Sequence, residues 1–180
     1  MEKEQKLEVW LRGLLPDVPA LLQPVAHALL QAQEEVQRYL QDFPQELLWE
    51  RPAGVASVGF HLQHLVGILD RLLTYARGES LSEEAFQYLK AEGTPSTTGG
   101  SVEELVQNFN RQLEKALAQI KATDPSTLTQ ERGVGRAQLP STVGGLLFHA
   151  AEHTQRHVGQ LLVTSKILKA GLNVPAAPQK

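Results

Sequence analysis

The residues best suited to chemistry lie in one stretch, His149-Ala-Ala-Glu-His153-Thr-Gln-Arg-His157-Val-Gly-Gln160. Three histidines recur there at i, i+4 and i+8, so in a helix they climb one side about a turn apart. The apolar arc of the same segment comes from Val143, Leu146, Leu147, Ala150, Leu161 and Leu168. His153 and His157 point into that arc, and His149 lies at its edge. An imidazole turned toward a core needs partners for its ring nitrogens, because a buried polar group left unpaired costs about 1–3 kcal/mol. One metal ion can serve two neutral imidazoles at i and i+4 together. The plainer alternative is a pair of core histidines bonded to carbonyls or water.

Composition narrows the chemistry further. The 180 residues contain no cysteine, so a thiolate metal site, a Cys nucleophile and a disulfide framework are all excluded. Any metal here takes nitrogen and oxygen ligands. The formal charge of −3, with no Lys/Arg cluster or basic aromatic platform, gives no electrostatic case for nucleic acid. The segment Met1-Glu-Lys-Glu-Gln-Lys-Leu7 is charged, and no stretch is apolar enough to span a bilayer. The expectation is a cytoplasmic protein with a small-molecule substrate.

The elements that must position the histidines follow from periodicity. Abundant aliphatic and few aromatic residues favour helices packed on helices, in one domain over residues 1–180. A short N-terminal segment, 1–16, places Trp10 against the main body. The first long helix is expected from Asp17, as N-cap, to Asp42, with a stripe of Val18, Leu22, Val25, Leu29, Ala32, Val36 and Leu40. Pro24 should kink this helix or delay its start. His27 lies opposite the stripe and reads as a solvated surface residue. Ser57 caps a second helix, Val58 to about Arg77, closed by Gly78. It carries His61 within its apolar arc and His64 at the edge. Either could add a ligand from a neighbouring helix, and spacing does not choose between them.

Residues 79–100 form a connector with a short helix over Ser82–Lys90 and then a glycine- and threonine-rich turn region. Ser101-Val-Glu-Glu104 is a capping box opening a third long helix, which Asp124-Pro125 stops. In the next connector, Gly133-Val-Gly135 lacks the context of a dinucleotide loop. Arg132 and Arg136 there either face an anionic ligand or sit in a solvated loop. Ser141 opens the fourth long helix, which carries the histidine stretch to about Gly171. A Pro-containing tail from about 172 to 180 is expected to be disordered. The architecture is all-α: a four-helix bundle, two of whose three connectors are long enough to cross it. Leu162, Val163 and Ile167, apolar but outside the core stripe, suggest a homodimer face on the fourth helix, or packing under the Trp10 segment.

Two segments together, Ser57-Val-Gly-Phe-His-Leu-Gln-His64-Leu65 and His153-x-x-x-His157-Val-Gly-Gln160, resemble the DinB-like family of metal-dependent proteins across nearly the whole chain. The resemblance implies a four-helix bundle with crossover connections and a divalent metal, nickel or zinc, with open coordination positions. It assigns the ligands to His64, His153 and His157, choosing His64 over His61. Outside that ligand set, His61 lines the pocket or stands as a reserve ligand, and His149 either supports the ligands or is a polar core residue. Gln160, on the side of His153 and His157, either orders the site or packs. The family includes thiol-dependent S-transferases and a maleylpyruvate isomerase, and the resemblance also leans toward a homodimer. A thiol borrowed from a low-molecular-weight cosubstrate suits a chain without cysteine. Two other functions remain open at this stage. One is a hydrolase using metal-bound hydroxide. The other is a stress-related binding protein whose metal clamps two helices; structural zinc sites, however, are usually closed by four protein ligands.

Overall fold

The computed structural model describes residues 6–95 and 100–171. The expected disordered tail, and part of the glycine- and threonine-rich connector, lie outside the described residues. Five α-helices form among the described residues: α1 (Gln23–Leu40), α2 (Val58–Ala76), α3 (Glu83–Ala91), α4 (Val102–Ala122) and α5 (Val143–Gly171). The short α3 lies in the connector after α2; the other four make the bundle. Two strands, β1 (Glu131–Val134) and β2 (Leu139–Thr142), pair antiparallel between α4 and α5.

Helix starts follow their caps. Ser57 accepts from the Phe60 amide, Ser82 from the Ala85 amide, and Ser101 with Glu104 completes the capping box of α4. These side chains satisfy amides that have no partner within the helix. The start of α1 corrects one expectation. Asp17 sits at φ 61 in a turn and caps nothing; α1 begins at Gln23, after a 3-10 turn over Ala20–Leu22. Pro24 then occupies the first turn, where its missing N–H breaks no bond, so it delays the helix rather than kinking it.

All four stripes converge on one core, which includes Leu29 and Val36 of α1, Leu62 and Leu69 of α2, Phe109 and Leu113 of α4, and Leu147 and Leu161 of α5. The principal helix contacts join α2 to α5, α1 to α5, α2 to α4 and α1 to α4. Successive helices α1 and α2 therefore occupy opposite corners, as do α4 and α5. The connections from α1 to α2 and from α4 to α5 cross the bundle, giving an all-α, crossed four-helix arrangement. Trp49, in the first crossing, lies against α2 where Gly59 leaves room; a Cβ at position 59 would stand 2.6 Å from the indole.

Three further expectations change. The connector before α5 is a hairpin, with Arg132 opposite Ser141 and Val134 opposite Leu139. Its Arg132 Nε donates to the Ala76 carbonyl (2.9 Å) at the end of α2, and the Arg136 guanidinium lies 5.3 Å from the Phe86 ring centroid. These two arginines are thus engaged with the protein itself. His27 is buried, not solvated: residues 7–15 fold back over that side of α1, and His27 Nε2 lies 3.1 Å from the Gly13 carbonyl. Within the N-terminal segment Val9 is the buried residue, whereas Trp10 stays exposed and donates to Glu8. Val163 and Ile167 are exposed on α5. Among the described residues no helix is long and apolar enough to cross a membrane.

Candidate metal centre

The α2–α5 interface carries the histidines. From α2 come Phe60, His61 and His64; from α5 come His149, His153 and His157. One turn separates successive histidines on α5, so His153 and His157 present their rings to α2 at two adjacent levels. His64 sits between them, its ring centroid 5.2 Å from that of His153 and 4.3 Å from that of His157. Phe60 stacks on the outer side of His64 at 5.4 Å and 11°.

Hydrogen bonding sets the ring orientations. His64 Nδ1 lies 2.7 Å from Glu92 Oε2, and His64 Nε2 lies 2.9 Å from His153 Nε2. A carboxylate only accepts, so the proton of His64 belongs on Nδ1 and its Nε2 presents a lone pair toward His153. His157 Nδ1 lies 3.0 Å from His61 Nδ1, which leaves His157 Nε2 as its other donor atom. His153 Nδ1 is buried and has no hydrogen-bond partner among the described residues. Burial, then the neighbouring His64, pushes His61 and His153 down to about 4. The same two influences, in the same order, push His157 down to about 3. These three rings are neutral near pH 7, the form in which imidazole binds a metal.

One donor atom each from His64, His153 and His157 can be chosen so that all lie within 4.8 Å of one another. Bonds of 2.0–2.1 Å to a shared ion place two adjacent nitrogens roughly 3 Å apart. The His64–His153 separation has that size, and the set of neutral nitrogen donors fits zinc or nickel. A bare His64–His153 hydrogen bond would take the His153 proton to Nε2. Nδ1 is then an acceptor without a donor, and with an ion on Nε2 it is an N–H without an acceptor, so this atom does not choose between the two. A second group, His149, Glu152 and His153, is also close enough to hold an ion. There, however, the Glu152 carboxylate already pairs with Arg156, whose charge opposes a cation, and His149 is half exposed.

Of the six residues singled out in the sequence, five form a continuous set of ring contacts: His61, His64, His149, His153 and His157. Gln160 is exposed, three residues beyond His157, so burial gives no support to an ordering role. Periodicity had placed His61 deeper than His64, and His61 is indeed almost fully buried. Its depth sets it behind His157, and His64 at the edge of the arc faces both partners. Glu92 and Arg71 were not found from sequence. A signal existed in Arg71, a charged residue seven positions after His64 on the same helix face, which needs a buried partner. Nothing in the sequence named Glu92 as that partner.

Comparison with known proteins agrees with this architecture. A crystal structure of a protein from Streptococcus pneumoniae matches with a TM-score of 0.57 over 81% of this chain and 88% of the other. The two are 14% identical, so the likeness is one of fold. No functionally curated protein matches the sequence. The family profile that does match spans residues 28–161, and with it α2, α5 as far as Leu161 and all five clustered histidines: the chain belongs to the DinB superfamily.

Proposed function

We propose that the protein binds one divalent metal ion through His64, His153 and His157, and that it is a metal-dependent enzyme acting with a low-molecular-weight thiol on an electrophilic small molecule. The observation carrying this reading is the convergence of three imidazole nitrogens, with His64 Nε2 and His153 Nε2 facing each other at 2.9 Å. Three neutral donors leave an ion its full charge and open positions, which an enzyme needs and a structural site avoids. An ion held there lowers the pKa of a coordinated thiol or water.

The chain's own side chains do the rest. Glu92 holds the proton of His64 at Nδ1, and His61 engages Nδ1 of His157, so both rings are fixed with Nε2 toward the centre. Phe60 walls one side of His64 and shields it from water. With no cysteine in these 180 residues, the protein has no thiol of its own for the reaction. That favours a thiol cosubstrate over hydrolysis, in line with the S-transferases and the isomerase among the proteins it resembles.

Metal analysis and turnover test this together. Purified protein should carry one zinc or nickel per chain. Alanine at His64, His153 or His157 should weaken binding about a hundredfold, the share of one ligand in a protein zinc site. Full retention in His153→Ala or His157→Ala would refute the ligand set. A thiol panel with a generic electrophile should give turnover only in metal-loaded protein and only with thiol. Turnover without thiol that rises with pH near 7 would instead identify a hydrolase. Equal rates in loaded and stripped protein would reject both enzymatic readings.

A further inference from the structure

We propose that Glu92 is a positioning residue for His64, and that the connector segment 88–94 is coupled through it to occupancy of the three-histidine centre. This rests on the metal reading above and extends it to residues outside the ligand set.

Glu92 follows α3, in the connector that leads from α2 to α4. Its side chain is only 6% exposed, and its two oxygens take different partners: Oε1 accepts from Arg71 and Oε2 from His64. A buried carboxylate needs both, because removal from water costs several kcal/mol unless charge and hydrogen bonds compensate. The space for it exists because α2 has a glycine at position 67. A Cβ there would run into Glu92 Oε1 and Arg71 Nη1.

The segment around Glu92 is fastened to the same face of α2. Gln63 Oε1 accepts from the Gly93 amide (2.7 Å), and Gln63 Nε2 donates to the Thr94 carbonyl (3.1 Å). The Tyr88 hydroxyl donates to the Gln63 carbonyl (3.1 Å). Gly93, at φ 84, turns the chain beside Phe60. Positions 63, 64, 67 and 71 of α2 therefore hold one strap of chain, and the strap delivers a carboxylate to the back of one ring in the cluster.

Two consequences follow. The carboxylate fixes the Nδ1–H tautomer of His64, aims the Nε2 lone pair inward and makes it a stronger donor. Coupling is reciprocal: if the docked strap strengthens metal binding, bound metal must strengthen docking of the strap by the same factor.

The experiment compares Zn2+ affinity, by competition with a chromophoric chelator, in the parent, Glu92→Gln and Glu92→Leu. Glutamine keeps an acceptor of the same shape, so a loss of about tenfold is expected; leucine removes it, and about a hundredfold is expected. A second readout needs no metal. Nitrogen-15 spectra of the stripped parent should show the His64 Nδ1–H tautomer, and Glu92→Leu should show a mixture. A third is hydrogen exchange over 88–94, which should slow on Zn2+ addition in the parent and not in His64→Ala. Parental affinity and an unchanged tautomer in folded Glu92→Leu overturn the positioning role alone. A parent that binds no Zn2+ overturns the metal reading and the coupling with it, while the tautomer measurement still decides whether Glu92 orients His64. Folding of the isosteric Glu92→Gln keeps the comparison decisive if Glu92→Leu is unstable.

Discussion

Two carboxylates fasten peripheral chain to this bundle with nearly the same partners, at opposite depths. Glu34, on α1, receives Arg12 at 2.6 and 2.8 Å and Lys6 at 2.9 Å, and holds down the N-terminal segment. Its side chain is 34% exposed. Glu92 receives Arg71 and His64 and holds down the strap after α3, at 6% exposure. At the surface, water and salt already solvate both charges, so pairing them adds little. In the interior neither charge has an alternative partner, so the pair is obligatory once the chain has folded. Short contacts of the same kind therefore mean different things: Glu34 tethers, whereas Glu92 commits α2 to one arrangement of its neighbour and of His64.

The largest effect that sharpens this contrast is expected at Arg71. Arg71→Met removes the guanidinium and strands a buried carboxylate, which should cost about 3 kcal/mol or more. For a chain of this length that is a fall in Tm of roughly 10 °C, measurable by circular dichroism. A change within about 2 °C, the outcome expected for a surface pair, would erase the difference between the two sites.

A smaller effect should appear in acid. The hydrogen bond from Arg12 is the main influence holding Glu34 down to about 2 from an ordinary 4.5, working against partial burial and helped by Lys6. A carboxyl depressed on folding binds fewer protons in the native state. Its stabilising contribution is therefore complete above pH 4.5 and is lost as pH falls toward 2. The protection factor of the Val9 amide, which donates to Gln31 Oε1 at 3.0 Å, should fall through that window once intrinsic exchange rates are divided out. Protection that persists unchanged down to pH 2 would show that packing of Val9 and His27, not the ion pair, holds the segment. The smallest effect belongs to Lys6, whose side chain is 68% exposed. Lys6→Ala should leave Tm unchanged within about 1 °C, in low salt and high.

The same distinction explains what could be seen in the sequence. Apolar stripes with a period near 3.6 gave all four long helices, and serines 57, 82 and 101 marked three starts correctly, because both signals act within a few residues. His153 and His157 were legible as a pair for the same reason. What escaped depends on chain returning from a distance. His27 looked solvated because the polar side of α1 is covered by residues 7–15, which dock on Gln31 and Glu34 through polar contacts. The hairpin at 131–142 has too little apolar alternation to announce itself, with Gly133, Gly135 and Pro140 in or between its strands. Glu92 carries no local mark at all; its role is created by the absence of a side chain at Gly67 and by Arg71, twenty-one residues upstream.

The chain separation across the histidine cluster also bears on how the molecule assembles. His64 meets His153 across 89 residues, and His61 meets His157 across 96. Closing a loop of that size costs about 4 kcal/mol in its length-dependent entropy alone, before any contact compensates. Because that entropy must be met before such contacts compensate it, pairing α2 with α5 slows folding relative to local helix formation. We expect the centre to close after the local helices rather than to nucleate them. An ion held there would report completion of the whole topology, and its release would track global unfolding rather than fraying at either end of the chain.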